Sequence, residues 1–186
     1  VSVSISGLEK RQNMGQAQIA DIVRTKFTQA EADMAKGLAT GLFSDGTASG
    51  SKQMTGFDAA MPADPTTGTY GNIDSSVNTA WRSKIDNAVG SAASNLVTAL
   101  RTQYNSCSIG RSATSAPDLI VTDQTTHEAL EALIAPRVRY TAGGEAELNT
   151  NKVKFNNAEV IWDPFCPAGT MYVLNTAHIM MFVHAN

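Results

Sequence analysis

Residues 19–38 read "IADIVRTKFTQAEADMAKGL". The apolar positions Ile19, Ile22, Val23, Phe27, Ala30, Met34 and Leu38 recur at steps of three and four, the period of one helix face. Arg24, Gln29 and Lys36 occupy the other side. The pattern lies within residues 8–42, where one helix of about 30 residues would be about 45 Å long at 1.5 Å per residue. Such a helix outruns the core of a small globule, so its natural use is as a spine along which neighbours pack. Gly37, Gly41 and Gly46 mark its expected end.

Before the helix, Val1, Val3 and Ile5 alternate with serines, which predicts a strand over 1–6. Ser6 and Glu9 stand in the S-x-x-E spacing of a capping box. This start has neither the basic residues nor the apolar run of a signal peptide. It lacks a methionine and reads as a strand entered partway, so the chain is expected to be a piece of a longer protein.

After the helix, residues 45–80 are rich in turn formers, but Phe57, Met61, Tyr70, Ile73 and Trp81 punctuate the stretch. Anchors of that size predict an ordered excursion rather than a linker. A second helix is expected over 84–105, with Ile85, Val89, Ala92, Leu96, Val97, Leu100 and Tyr104 on its apolar face. "DLIVTD" reads as a buried strand and "TTHEALEALIA" as a short helix stopped by Pro136. "RVRYTAGGEAELNTN" reads as an exposed tip, and "KVKFNNAEVIWD" as two strands joined at Asn156-Asn157. "MYVLN" and "HIMMFVH" read as two further strands. The mixture is α+β.

The totals narrow the function. With 186 residues, 42% of them hydrophobic, a real core is available without disulfides or metals. Charged residues make up 17%, below the usual ~25%, as suits a surface held against neighbours. A net charge of -3 without a basic stretch argues against tight phosphate-driven binding of nucleic acid. No apolar run approaches the ~20 residues that span a bilayer. Cys107 and Cys166 make no disulfide framework, and His127, His178 and His184 show no metal-ligand spacing around them.

The chemical motifs fail one by one. "SDGTASGSKQMTG", residues 44–56, has the glycines, hydroxyls and lysine of a phosphate cradle. In "GTASGSK" the second glycine comes one residue early, a serine precedes Lys52, and Gln53 replaces the magnesium-binding hydroxyl. An EF-hand reading fails because Asp45 has no acidic companions at the required positions. A Cys107–His127–Asp163 set has no local support. The pairs Glu128/Glu131 and Glu145/Glu147 read as solvated faces. No catalytic, metal-binding or cofactor-binding residue is assigned. Trp81 and Arg82 read either as an aromatic plug with a loop-clamping arginine, or as an interface contact, where both residue types are enriched. If Trp81 is buried, Trp81→Ala should cost about 3 to 5 kcal/mol.

Several stretches taken together resemble the major capsid proteins of tailed bacteriophages. The helix flowing into "LATGLFSDGTASGSKQMTGFD" resembles their spine helix and the loop after it. "DPTTGTYGNIDSSVNTAWRS" is similar to a segment of one capsid subfamily, and "SAPDLIVTDQTTHEALEAL" to its strand–helix unit. "NAEVIWDPFCPAGTMYVLNTAHIMMFVH" resembles the close of the axial domain, with Ala158-Glu159 where glycine and proline are common. The resemblance implies the phage capsid fold, shared with encapsulins: a spine helix in a peripheral domain, plus an axial α+β domain with a central mixed sheet. By that analogy residues 1–44 are peripheral, 45–176 axial, and 177–186 a strand returning to the peripheral domain. The family's N-terminal arm, projecting loop and last peripheral strand would be missing.

The implied role is a non-enzymatic subunit that assembles with itself into pentamers and hexamers of an icosahedral head around double-stranded DNA. Scaffold, portal and decoration proteins are possible partners, the DNA is touched only weakly, and no membrane is involved. The implied location is the virion capsid, assembled in the bacterial cytoplasm. Trp81, Arg82, Arg137, Arg139, Glu145 and Glu147 are the interface candidates. The last four would alternate in sign around a capsomer centre. An encapsulin-type shell is the alternative, and a small nucleotide-binding enzyme using residues 45–53 a distant third.

Overall fold

The reciprocal capping box forms as spaced: Ser6 N donates to Glu9 Oε2 at 2.9 Å, and Glu9 N to Ser6 Oγ at 3.2 Å. It opens a short helix, α1, Gly7–Gln12, and not the long one, α2, Gln16–Leu42. The structure, a computed structural model, describes residues 3–12, 16–51, 53–87, 89, 93–109, 115–134 and 153–182. The long helix expected within 8–42 is α2, and the capping box opens the separate α1 before it. Glu9 Oε1 lies 3.5 Å from Lys26 Nζ. Seventeen residues apart on one helix they would be separated by about 25 Å, so α1 lies beside α2 rather than extending it. The strand expected over 1–6 is absent from residues 3–6, which are irregular.

The long helix has 27 residues, about 40 Å. It runs through Gly37 and Gly41, contrary to the expected break. An interior glycine costs a helix only about 1 kcal/mol, which a long run of good formers outweighs. The end comes where Phe43 N and Ser44 N turn back to the Thr40 and Gly41 carbonyls. Gly46 then takes φ +79°, a left-handed conformation suited to glycine.

The chain divides into two compact units, Val1–Phe57 and Asp58–Asn186. In the first, Phe43 is buried and meets Phe57 edge-on at 5.9 Å. Gly56 N donates to Ser44 O, and the Gly56 Cα lies so close to the last turn of α2 that a Cβ would overlap the Gly41 and Leu42 carbonyls. The loop between contains a four-residue helix, α3, Ala48–Ser51.

The second unit opens with the end of α4, Phe57–Ala60, and a tight hairpin, β1 Thr69–Tyr70 and β2 Ile73–Asp74. Gly71 and Asn72, its two central residues, have φ 59° and 65°, as a hairpin turn with right-handed strand twist requires. A 3-10 turn follows at Thr79–Trp81. The next helix, α5, covers Ala93–Cys107. It starts later than expected: residues 84–87 and 89 are not helical, and Asn87 Nδ2 donates to the Ala63 carbonyl at 2.9 Å. Asp86, Asn87 and Gly90 are weak helix formers, and the asparagine finds a better partner in the loop.

The main sheet has strands β3 Leu119–Thr122, β4 Val153–Phe155, β5 Ala158–Trp162 and β6 Met171–Leu174, in the order β4-β5-β3-β6. It is mixed: β3 runs parallel to β5 and antiparallel to β6, while β4 and β5 form a hairpin. Asn156 turns that hairpin at φ 53°. Helix α6, Gln124–Ile134, follows β3 and packs with α5 over the sheet. Ile120, Val160, Ala158 and Val153 meet Leu100, Tyr104 and Leu130 in the core, and Tyr104 stands edge-on to Phe155 at 5.8 Å. Every second residue of β3 therefore faces the helices. Val121, Tyr172 and Leu174 are buried on the opposite face.

The strand expected at "HIMMFVH" does not form among the described residues. Thr176–His178 make a 3-10 turn, and residues 179–182 leave it without ladder partners.

Candidate functional site

Where the sequence suggests chemistry, the structure finds local bonding. Asp45 accepts from Thr47 N and Thr47 Oγ1, Ser44 Oγ accepts from Gly46 N, and Ser44 Oγ donates to Gln53 Oε1. The two bonds from Thr47 hold Asp45 below the usual carboxylate range, the amide first and then the hydroxyl. The loop thus spends its polar groups on itself. Lys52 lies outside the described residues. No hydrogen bond joins Cys107, His127 and Asp163 among the described residues; Asp163 Oδ1 instead accepts from Phe165 N at 2.8 Å. No three His, Cys, Asp or Glu side chains among the described residues are placed to hold a metal ion.

Cys166 is buried, and its thiol is pushed up to about 11, by burial first and then by the charges of Asp123 and Asp163. It stays protonated at neutral pH and is a poor nucleophile. Tyr172 is pushed up to about 12 by burial, with Asp58 and Cys166 adding to it. These groups behave as packing.

Arg82 is a loop clamp. Its Nε donates to the Ser75 carbonyl at 2.8 Å and its Nη2 to the Ser76 carbonyl at 3.2 Å. Asp74 accepts from Ser76 N and Oγ, and Asp64 from Thr66 and Thr67, so residues 64–82 form a cross-braced platform. Trp81 lies on this platform with Nε1 donating to the Tyr70 carbonyl at 3.2 Å and its ring beside Gly71. It is 47% exposed, so the condition for a 3 to 5 kcal/mol cost is not met. Tyr70 and Val77, within the same stretch 64–82, are exposed as well. Arg137, Arg139, Glu145 and Glu147 lie outside the described residues.

A row of large apolar side chains is exposed on α2. Phe27 is 58% exposed, Met34 56% and Leu38 50%, with Leu42 exposed as well. These residues continue one stripe down the helix. Singly exposed apolar side chains are ordinary, but a row of large ones marks an interaction surface.

A feature with no sequence signal ties the far end of the sheet. Asp118 Oδ1 accepts from Thr176 N at 2.7 Å, and Oδ2 from the Thr176 hydroxyl. Asp118 N donates to Leu174 O, and Asp118 O accepts from Glu159 N, both at 3.0 Å. The Thr176 hydroxyl, then its amide, holds the Asp118 carboxyl below the usual range. The partners are 58 residues apart, beyond any spacing rule.

No protein-family model and no curated protein matches the sequence. Among solved structures, the fold is similar to that of a chain from the cyanophage A-1(L) capsid asymmetric unit, with a TM-score of 0.65 and 23% sequence identity. The similarity covers 93% of this chain and 53% of that one, so the chain spans about half the length of its structural neighbour. The molecule thus has a capsid-like α+β fold.

Proposed function

We propose that the chain is a structural, non-catalytic subunit of an icosahedral phage head. The observation that carries this is the fold match to a capsid chain over nearly the whole length. The exposed stripe of α2 supports it, because a tile in a wall must keep apolar surface for other copies. On this reading α2 is the spine helix. Residues 1–44 belong to the peripheral domain, 45–176 to the axial domain, and 177–186 lead back towards the periphery. Trp81 and the platform around it contact a neighbour. Arg137 and Arg139 meet Glu145 and Glu147 of adjacent copies near the capsomer centre, where such charges set register more than affinity.

The subunits assemble as pentamers and hexamers enclosing double-stranded DNA, with scaffold, portal and decoration proteins as further partners. A net charge of -3 fits an inner wall that does not hold DNA tightly. The place of action is the virion, after assembly in the bacterial cytoplasm. No helix among the described residues is long and apolar enough to cross a membrane.

Electron microscopy of the full-length protein under assembly conditions tests this. Closed shells or capsomer rings are expected, and monomers alone would refute it. Nucleic acid inside the particles is the expected content, and a protein cargo would point instead to an encapsulin-type compartment.

A further inference from the structure

The bonds of Asp118 reach β5, β6 and the turn that follows β6. Its backbone joins β5 and β6, and both oxygens of its carboxylate grip one residue, Thr176. Thr176 is the first residue of the 3-10 turn, which Asn175 caps through Oδ1 to Ala177 N at 3.1 Å. His178 N and Ile179 N close the turn on the Asn175 and Thr176 carbonyls. Ile179 then leaves extended, at φ -101° and ψ 121°. The four residues that follow the turn are Ile179, Met180, Met181 and Phe182, all exposed, with Phe182 at 89%.

An apolar segment with no fixed direction would collapse onto the nearest apolar surface. Here a charge-assisted pair of hydrogen bonds, stronger than neutral ones, fixes the direction in which the segment departs. Holding a segment in one conformation before it docks removes the ordering cost from the docking step.

We propose that Asp118 is a positioning residue: its clasp on Thr176 sets the direction in which residues 179–182 leave the turn, through the extended Ile179, for assembly with other copies of this chain. The assembly part rests on the shell reading above, while the clasp itself does not. Three variants of the full-length protein separate the contributions. Thr176→Ser keeps both bonds, Thr176→Val keeps only the amide bond, and Asp118→Ala removes both.

Hydrogen exchange, melting temperature and particle yield by sedimentation are read together. Thr176→Ser should match the parent in all three. Thr176→Val and Asp118→Ala should melt close to the parent, yet amides of residues 176–179, the ones bonded in and around the turn, should exchange about tenfold faster, the worth of roughly one charge-assisted hydrogen bond. Particle yield should fall with them. Unchanged exchange in Asp118→Ala would overturn the clasp. Faster exchange with full particle yield would overturn its role in assembly. If Asp118→Ala fails to fold, Thr176→Val decides alone. If the parent forms no particles, the shell reading fails and the exchange result still decides the clasp.

Discussion

Gly56 shows how much one missing atom can matter. Its Cα lies against the carbonyls that end α2, and a methyl group has no room there because the obstacle is backbone rather than a flexible side chain. We predict that Gly56→Ala destabilises the first unit by about 1 to 3 kcal/mol, the usual range for forced overpacking. An unchanged thermal midpoint would contradict that close approach. Trp81 is the opposite case, since half of its surface is already in water. Trp81→Ala should cost about 1 to 2 kcal/mol, well short of the loss from a buried aromatic, and a denaturant midpoint series would check it. The two thiols also divide by environment. Cys107 is half-buried at the end of α5, while Cys166 is buried and its thiol is held protonated. Iodoacetamide at pH 8 should label Cys107 in the folded protein and Cys166 only after unfolding; equal labelling rates would contradict the burial of Cys166.

Elements were legible where one short-range rule governs them. The S-x-x-E spacing, the "DLIVTD" strand and the Asn156 turn formed where the residues placed them, because each is decided within a few positions. The errors arose where a longer competition decides. The apolar period begins at Ile85, but Asn87 two residues on bonds to the Ala63 carbonyl in place of a helix. "HIMMFVH" has strand composition, yet a strand needs a neighbour to pair with, and the composition cannot state which one. The Asp118 clasp was invisible because nothing marks an aspartate as the partner of a threonine 58 positions away. On α2, Phe27, Met34 and Leu38 of the stripe that predicted the helix remain exposed. Replacing Phe27, Met34 and Leu38 together by glutamine should change the stability of the isolated chain by no more than about 0.5 kcal/mol each, as for surface positions. Assembly should nevertheless be lost. If the triple variant unfolds, the stripe is a core face and its assignment to assembly fails.

For the molecule as a whole, the proposed life among identical neighbours would explain two properties together. One is its low content of charge; the other is its set of large apolar residues left open on α2, around Trp81 and beyond the Thr176 turn. Individually weak contacts suffice for such a protein, because symmetry repeats each one around a closed shell. The fold likeness to a capsid chain gives this its direction, and the low identity leaves the assembly to be measured. Sedimentation velocity of the full-length protein over a wide concentration range, alongside the α2 triple variant, is the most direct measurement. The parent should pass from monomer to capsomers and to large closed particles, and the variant should remain monomeric. A parent that sediments as a monomer at every concentration, with α2 open to solvent throughout, would contradict the claim that the helix braces a wall.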